Sequence, residues 1–158
     1  MFNIHYKLST FLNEIRKELD DGHFLATLIM SLMVPDICAG KKAKGKGYRK
    51  WVKKYYNQHS CISDSFNADI VYKLRCSVLH SARTYQNVSL RYNSKTDCHL
   101  GHLSVVIHDN KTGGETRVIG LNINEFAEEM MVSAKKYMAD TKEDPLLFSM
   151  IDYDKINS

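Results

Sequence analysis

One segment of this chain has almost no polar side chain that could hydrogen-bond to water, so we expect it to be buried in the folded protein. Residues 24–34 contain no charged side chain and are apolar nearly all round. The segment is about half the length that a helix needs to cross a bilayer, so we expect no insertion into a membrane. It predicts a helix over residues 24–33 at the centre of a helical bundle, with Pro35 as its end.

Four other segments repeat apolar side chains at helical spacing, which predicts an amphipathic helix for each. They are residues 5–20, 48–56, 68–83 and 125–139. Asn67 and Asn124 each stand directly before such a segment, where an N-cap belongs. Residues 36–47 hold three glycines and predict a flexible turn, and the polar tail from residue 140 is expected to pack or to fray.

Between the fourth and fifth helices the apolar spacing changes to that of β-strands. Three segments between residues 88 and 120 alternate or are rich in β-branched side chains, and Asn110-Lys-Thr-Gly-Gly114 is a turn signal. We therefore predict a mostly α protein that forms a single domain over residues 1–158. It is a bundle of four or five helices with a small antiparallel β insertion, at about residues 87–121, before the last helix.

The positive charge of the chain is concentrated in one place. Residues 41–54 hold eight Lys or Arg and no acid; of 22 Lys and Arg in all, 14 remain against 18 Asp and Glu, a net charge of −4 elsewhere. Such a patch is typical of a surface that binds a polyanion and also of a solvated loop, and both interpretations stay open. If the patch binds a polyanion, the sequence predicts salt-sensitive contacts to a nucleic-acid backbone, that of RNA, from Lys41, Lys42, Lys44, Lys46, Arg49, Lys50 and Lys53.

Neither a nucleotide nor a metal ion is expected as a cofactor. Residues 40–47 begin like a phosphate-binding P-loop, but they lack its final Ser or Thr and follow a helix rather than a strand. Cys98, His99 and His102 are too few for a metal site of recognisable spacing. The four cysteines are scattered and the N-terminus lacks the features of a secretory signal, so we expect reduced thiols and a cytoplasmic protein.

Arg75 and His80 combine two side chains that suit phosphodiester chemistry. Arginine holds a phosphate with two hydrogen bonds, and histidine exchanges protons near neutral pH. Five residues of helix place the two side chains about 140° apart, on different faces. A site that uses both is therefore expected to need a second copy of the helix, as in a symmetric homodimer.

Two smaller features leave alternatives open. Asp36 is interpreted as a turn cap, as a partner of the lysine-rich loop, or as a group that holds a catalytic side chain, and the first interpretation is preferred. Trp51, Tyr55 and Tyr56 alternate with lysines, which is the composition of a surface that stacks nucleic-acid bases. Core packing is the commoner use of aromatic side chains at helical spacing.

An Arg followed four to six residues later by a His, late in a helix of a small helical protein, resembles the signature of the HEPN superfamily. The resemblance covers roughly residues 5–83 in pattern, and Arg75 and His80 in residues. It implies a bundle of four or five helices that dimerises through the motif helix. Many members are metal-independent RNases, often toxins or parts of antiviral systems. Arg75 and His80 would then be the catalytic pair, repeated across the dimer axis, and a toxin would have an antitoxin partner.

Two functions remain open on this basis. In a metal-independent endoribonuclease or RNA-binding protein, His80 would transfer protons at the ribose 2′-hydroxyl and the leaving 5′-oxygen, while Arg75 would stabilise charge on the phosphate. In a non-catalytic dimeric binding or scaffold module, the motif helix would serve dimer packing and Arg75 would pair with an acid. Cys76 favours the second slightly, since active HEPN members often have Asn, Asp or His directly after the Arg.

Overall fold

The apolar helix is the centre of the fold, as the sequence predicts, and it contacts each of the other four α-helices in the described part of the chain. The structure is a computed structural model that describes residues 3–40, 44–92 and 101–151. In chain order the elements are β1 (Asn3–Lys7), α1 (Leu8–Asp20), α2 (Phe24–Ala39), α3 (Lys44–Trp51), a π-helix (Val52–Tyr56), α4 (Ala68–Ser81), β2 (Val88–Arg91), β3 (Leu103–His108), β4 (Glu115–Asn122), α5 (Ile123–Thr141) and β5 (Leu146–Ile151). The protein is mostly α.

α2 continues past Pro35 to Ala39, so the predicted end of this helix is wrong. Proline removes one backbone hydrogen bond, but Leu32, Val34 and Pro35 itself are buried, and this packing holds the helix through the proline. The last turn closes where the Gly40 N–H donates to the Asp36 carbonyl at 3.1 Å. Gly40 then has a φ of 76°, which favours glycine and ends the helix.

α3 begins at Lys44, inside the segment that the sequence predicts as a flexible turn. Gly45 permits this close packing, because a Cβ there would lie 2.6 Å from the hydroxyl oxygen of Tyr72 in α4. Glycine therefore serves here to bring two helices together. Gly45, one of the three glycines that predict a turn, lies instead at the contact between α3 and α4.

The π-helix is the other departure from the predicted third helix. Tyr55 and Tyr56 are nonetheless both buried, as is Trp51, at positions that continue the helical spacing of the core face from Tyr48. The Tyr56 ring contacts Phe66 and Phe126 edge-on. The interpretation of these aromatics as core residues is confirmed, and a stacking surface for bases built from them is wrong.

α4 has the cap and the buried face that the sequence predicts. The side-chain oxygen of Asn67 accepts hydrogen bonds from the backbone N–H groups of Asp69 and Ile70, at 3.0 and 3.2 Å. The buried side chains recur at helical spacing: Val71, Leu74 and Val78. The helix packs against α2 and α3 through this face.

α5 begins slightly earlier than predicted. Its N-cap is Asn122 and not Asn124, because the Asn122 side chain accepts a hydrogen bond from the Glu125 N–H at 3.1 Å. The first helical residue is Ile123, which is buried. Glu125 lies in the first turn of the helix in both cases.

A second sheet joins the two ends of the described chain. β1 and β5 pair antiparallel, with Tyr6 opposite Phe148 and the two rings stacked at 4.6 Å between centroids. The prediction of helix from residue 5 is therefore wrong for residues 5–7, and the tail packs as a strand. Local spacing does not show this pairing, since the two strands lie about 140 residues apart in sequence.

The predicted insertion is antiparallel only in part. β3 and β4 form the predicted antiparallel hairpin, but β2 pairs parallel to β4, in the order β2-β4-β3. The chain direction reverses from β2 to β3 and again from β3 to β4, so β2 and β4 run in the same direction. Because β2 lies beside β4 and not beside β3, the two strands pair parallel. Val88 of β2 is then buried opposite Ile119.

No helix within the three described ranges has both the length and the apolar character of a membrane span.

The N-terminus of α1 is capped by a residue from the other end of the chain. Asp144 accepts hydrogen bonds from the Ser9 backbone N–H at 2.9 Å and from the Ser9 hydroxyl at 2.6 Å. Lys7, at the N-cap position, makes no capping hydrogen bond with its side chain. The carboxylate also lies at the positive end of the helix dipole, so this contact stabilises α1 and fixes β5 beside it.

We expect Asp144→Ala to lower the free energy of unfolding by about 1 kcal/mol, the usual effect of removing a helix cap. Urea denaturation followed by circular dichroism measures it. Asp140→Ala is the matched control, because Asp140 is an exposed acid in the last turns of α5 and its loss should not destabilise. Equal losses in the two variants would contradict the role of Asp144 as a cap.

Candidate nucleic-acid interface

Arg75 and His80 of α4 differ in their exposure to water. Arg75 is half-buried on the side of α4 that packs against α2, whereas His80 is exposed in the last turn. As far as the described chain shows, the two side chains make no hydrogen bond to each other. One chain therefore leaves the pair apart, in agreement with the helical spacing.

Arg75 is held by Asp36 from the end of α2. The Nε–H of Arg75 donates to the Asp36 carboxylate at 2.9 Å. Burial acts to lower the pKa of Arg75, but the charge of Asp36 and this hydrogen bond raise the pKa above its ordinary value. Of the three interpretations of Asp36, the one in which it holds another side chain in place fits this bond, while the catalytic role of Arg75 stays a prediction. The preferred interpretation as a turn cap is wrong, because α2 continues through this residue.

The two Nη groups of Arg75 make fewer contacts with described residues than its Nε. Its Nη1 lies 4.0 Å from the Cys76 sulfur, which is a weak contact at most. Its Nη2 makes no hydrogen bond to a residue in the described ranges. The Asp36 ion pair thus fixes the direction of the guanidinium while it leaves the Nη groups able to donate to a phosphate.

A cavity of about 770 Å³ lies between α3 and the start of α4. Four of the residues predicted to contact RNA line it: Lys46, Arg49, Lys50 and Lys53. The side of the cavity opposite these residues is formed in part by the connection before α4, through Asn57, Ser63 and Asp64. We call this site the cationic cavity.

Arg49 is engaged within the protein. Its Nε–H donates to Asp69 at 2.9 Å, and its guanidinium lies over the Tyr72 ring at 4.0 Å from the centroid. Asp69 also pairs with Lys73 at 2.7 Å. The hydrogen bond from Lys73 is the largest cause that lowers the pKa of Asp69, followed among the favourable contacts by that from Arg49. Arg49 therefore contributes more to the packing of α3 on α4 than to free positive charge.

Lys46, Lys50 and Lys53 are the cations of the cavity that remain free. All three are exposed, and none pairs with an acid of the described ranges. They follow one another at spacings of four and three residues, which puts them on one side of the helix. Their side chains thus present three point charges to the same cavity.

The other predicted RNA contacts cannot be placed in this way. Lys41 and Lys42 lie outside the described residues, and only the backbone of Lys44, the first residue of α3, is described. The structure therefore brings together Lys46, Arg49, Lys50 and Lys53.

No protein-family model, no curated protein and no solved structure matches this chain. The resemblance to the HEPN superfamily accordingly rests on Arg75, His80 and the helical pattern around them.

Sequence reasoning missed one cluster of chemically active side chains. Cys61, Glu125 and Glu129 bring a sulfur and two carboxylates within 4.8 Å of one another, and His102 contacts both carboxylates. The spacing of the two glutamates, four residues apart on one helix, is the signal that the sequence offers. Cys61 and His102 come from distant segments, and the motif that contains Cys98 and His99 lies partly outside the described residues.

We expect the Arg75–Asp36 pair to show a coupling free energy of about 1 kcal/mol, because its partners are only partly screened by water. A double-mutant cycle in urea with Arg75→Gln and Asp36→Asn measures this coupling.

The control is a cycle on Arg49 and Asp69, which have the same bond length and greater exposure. It should give a smaller coupling, of a few tenths of a kcal/mol. A coupling for Arg75–Asp36 no larger than that of the control pair would show that Asp36 does not hold the arginine.

Proposed function

We propose that this protein binds RNA through the cationic cavity. The observation that carries the proposal is the set of free lysines, Lys46, Lys50 and Lys53, along one wall of a single cavity. Residues 41–54 are strongly basic while the rest of the chain has a net charge of −4, so a polyanion is attracted to this end of α3 and repelled elsewhere. RNA, with a charge on each phosphate, is the polyanion that the resemblance to HEPN proteins also suggests.

Recognition in this cavity would be directed at the phosphate backbone. Lysine acts as a flexible point charge and does not match the shape of a base edge. The aromatic side chains that could stack on bases, Trp51, Tyr55 and Tyr56, are buried in the core. Binding is therefore expected to depend strongly on salt and little on sequence.

We expect replacement of Lys46, Lys50 and Lys53 by Gln to weaken binding of single-stranded RNA and to reduce its salt dependence. Each lost phosphate contact lowers the slope of log affinity against log salt by about 0.7, so three contacts lower it by about 2. Fluorescence anisotropy with a labelled oligonucleotide, between low and physiological salt, gives the slope.

The control variant replaces Lys17, Lys111 and Lys135 by Gln. These three lysines are exposed on other elements, and their loss changes the net charge by the same amount. If both variants lose the same affinity and slope, the attraction is a property of total charge and not of the cavity.

A ribonuclease function extends this proposal and requires a dimer. In it, the exposed His80 of one subunit would exchange protons with the ribose 2′-hydroxyl and the 5′-oxygen, and Arg75 of the other would donate its Nη groups to the phosphate. The fixed guanidinium direction and the exposed imidazole support this arrangement. A HEPN-like bundle that pairs through α4 would bring the two together.

One observation favours the non-catalytic alternative. Arg75 is paired to an acid, Asp36, and is half-buried, which is the state expected of an arginine that serves packing. In that case the protein binds RNA, or another partner, without cleaving it. The two proposals differ in whether His80 has a chemical role.

We expect structured RNA to be cleaved in the presence of EDTA, and the rate to fall by about 100-fold or more in His80→Ala, as is usual for loss of a general acid or base. His108→Ala is the control, since His108 is also exposed and lies in β3. Cleavage by wild type that His80→Ala retains would exclude this histidine, and no cleavage at all by folded wild type would select the binding module.

A mixing experiment tests whether the site is shared between subunits. Arg75→Gln and His80→Ala chains are each inactive in the proposed mechanism. A mixed dimer contains one intact site, made of Arg75 from one chain and His80 from the other, so activity should partly return on mixing. Activity that stays absent after subunit exchange would rule out a shared site.

A further inference from the structure

A cluster of four polar side chains lies at the start of α5, and we call it the α5 cluster. Glu125 and Glu129 come from the first two turns of the helix, Cys61 from the connection that follows the π-helix, and His102 from the segment just before β3. The Cys61 sulfur and one oxygen of each carboxylate lie within 4.8 Å of one another, and the sulfur is 3.8 Å from Glu125 Oε1. The RNA-binding proposal uses none of these residues.

His102 fixes both carboxylates. Its side chain is fully buried, and its Nδ1 accepts a hydrogen bond from the Asn122 backbone N–H at 3.0 Å. Nε2 therefore carries the proton, and it donates to Glu129 Oε2 at 3.2 Å. The backbone N–H of His102 donates to Glu125 Oε2 at 2.7 Å. One oxygen of each glutamate is thus anchored, and the other remains available for a ligand.

The backbone beside His102 is shaped to accept Glu125. A Cβ at Gly101 would lie 2.9 Å from Glu125 Oε2, closer than side chains approach in folded proteins. Glycine at this position lets the main chain come near enough for the His102 N–H to reach the carboxylate. Orientation of the carboxylates therefore depends on two successive residues of a segment distant from α5 in sequence.

The negative charge of the α5 cluster is not balanced within the described ranges. There, neither Glu125 nor Glu129 pairs with a Lys or an Arg. His102 is neutral when Nδ1 accepts from Asn122, so it orients the carboxylates without cancelling their charge. Two carboxylates and a thiol so close together are stabilised by a cation between them.

An independent observation concerns Tyr56. Its side chain is fully buried and its hydroxyl faces Glu129 and Ser60, yet it has no hydrogen bond of ordinary geometry to any described residue. Buried hydroxyls nearly always have a partner, so this group points to a ligand of the cluster, or to water that the ligand carries.

We propose that the α5 cluster binds a divalent transition-metal ion, with zinc as the best match, through the Cys61 thiolate and one oxygen each of Glu125 and Glu129. Mg²⁺ and Ca²⁺ are hard ions that prefer oxygen ligands, so a thiolate ligand disfavours both. Zinc accepts sulfur and carboxylate oxygen ligands together. Binding releases the thiol proton of Cys61. Three protein ligands leave the fourth tetrahedral position to water.

The geometry is that of a site which closes slightly on binding. Ligand atoms around tetrahedral zinc lie about 3.6 Å apart, which follows from metal–ligand distances of about 2.1 and 2.3 Å. The separations here, up to 4.8 Å, exceed that value by up to about 1.2 Å, so the ligand atoms must move closer on binding. His102 then acts as the hydrogen-bonded support that ligating carboxylates normally have.

Titration calorimetry with zinc chloride on the full chain tests the proposal. We expect one zinc per chain in the wild type, and a loss of affinity of at least about 10-fold in Cys61→Ser and in Glu129→Gln. Cobalt(II) in place of zinc should give the intense absorption of a thiolate–cobalt bond, which Cys61→Ser should abolish. Cys61 is exposed, so its serine variant should fold, and circular dichroism checks this.

The matched controls are Cys76→Ser and Glu115→Gln, which remove a thiol and a carboxylate outside the cluster and should leave zinc affinity unchanged. Absence of stoichiometric binding by the wild type would overturn the proposal. So would unchanged affinity in folded Cys61→Ser and Glu129→Gln, or binding that is lost instead in Cys98→Ser or His99→Ala. None of these results depends on whether the protein binds or cleaves RNA.

Discussion

The rest of the structure depends on the burial of most of α2, although Leu25 and Met33 on one side of this helix stay exposed. Leu28 and Leu32 in its middle are fully buried, and the helix presents no charge to water before Asp36. Even its polar residues turn inward, as Thr27 does when its hydroxyl donates to the His23 carbonyl at 3.0 Å. A helix so rich in apolar side chains is stable only when other helices cover most of its surface, so its composition selects a bundle and fixes which element is central.

That burial also determines the chemistry of the neighbouring motif helix. Because apolar contacts carry α2 through Pro35, one more turn is formed, and Asp36 in that turn meets Arg75 of α4. A helix that ended at the proline would leave the guanidinium without this partner. The environment of Arg75 is therefore set by packing some 40 residues away, which no spacing between Arg75 and His80 can show.

Features encoded by near neighbours could be predicted from the sequence, and those encoded by distant partners could not. The centre of the bundle, the Asn67 cap and the β3–β4 hairpin each follow from residues close together in the chain. The β1–β5 sheet and the parallel place of β2 depend on pairing between remote segments. The π-helix could not be predicted either, since the apolar spacing of residues 48–56 is the same as that of a regular helix.

The same division separates the two candidate sites and also shows where they meet. The lysines of the cationic cavity are neighbours in sequence, so composition alone predicts them, whereas the α5 cluster is assembled from three segments. The connection between the π-helix and α4 belongs to both, because Cys61 is a member of the cluster and Ser63 lines the cavity. Because both sites share this connection, a ligand that binds one of them would contact a segment that also belongs to the other.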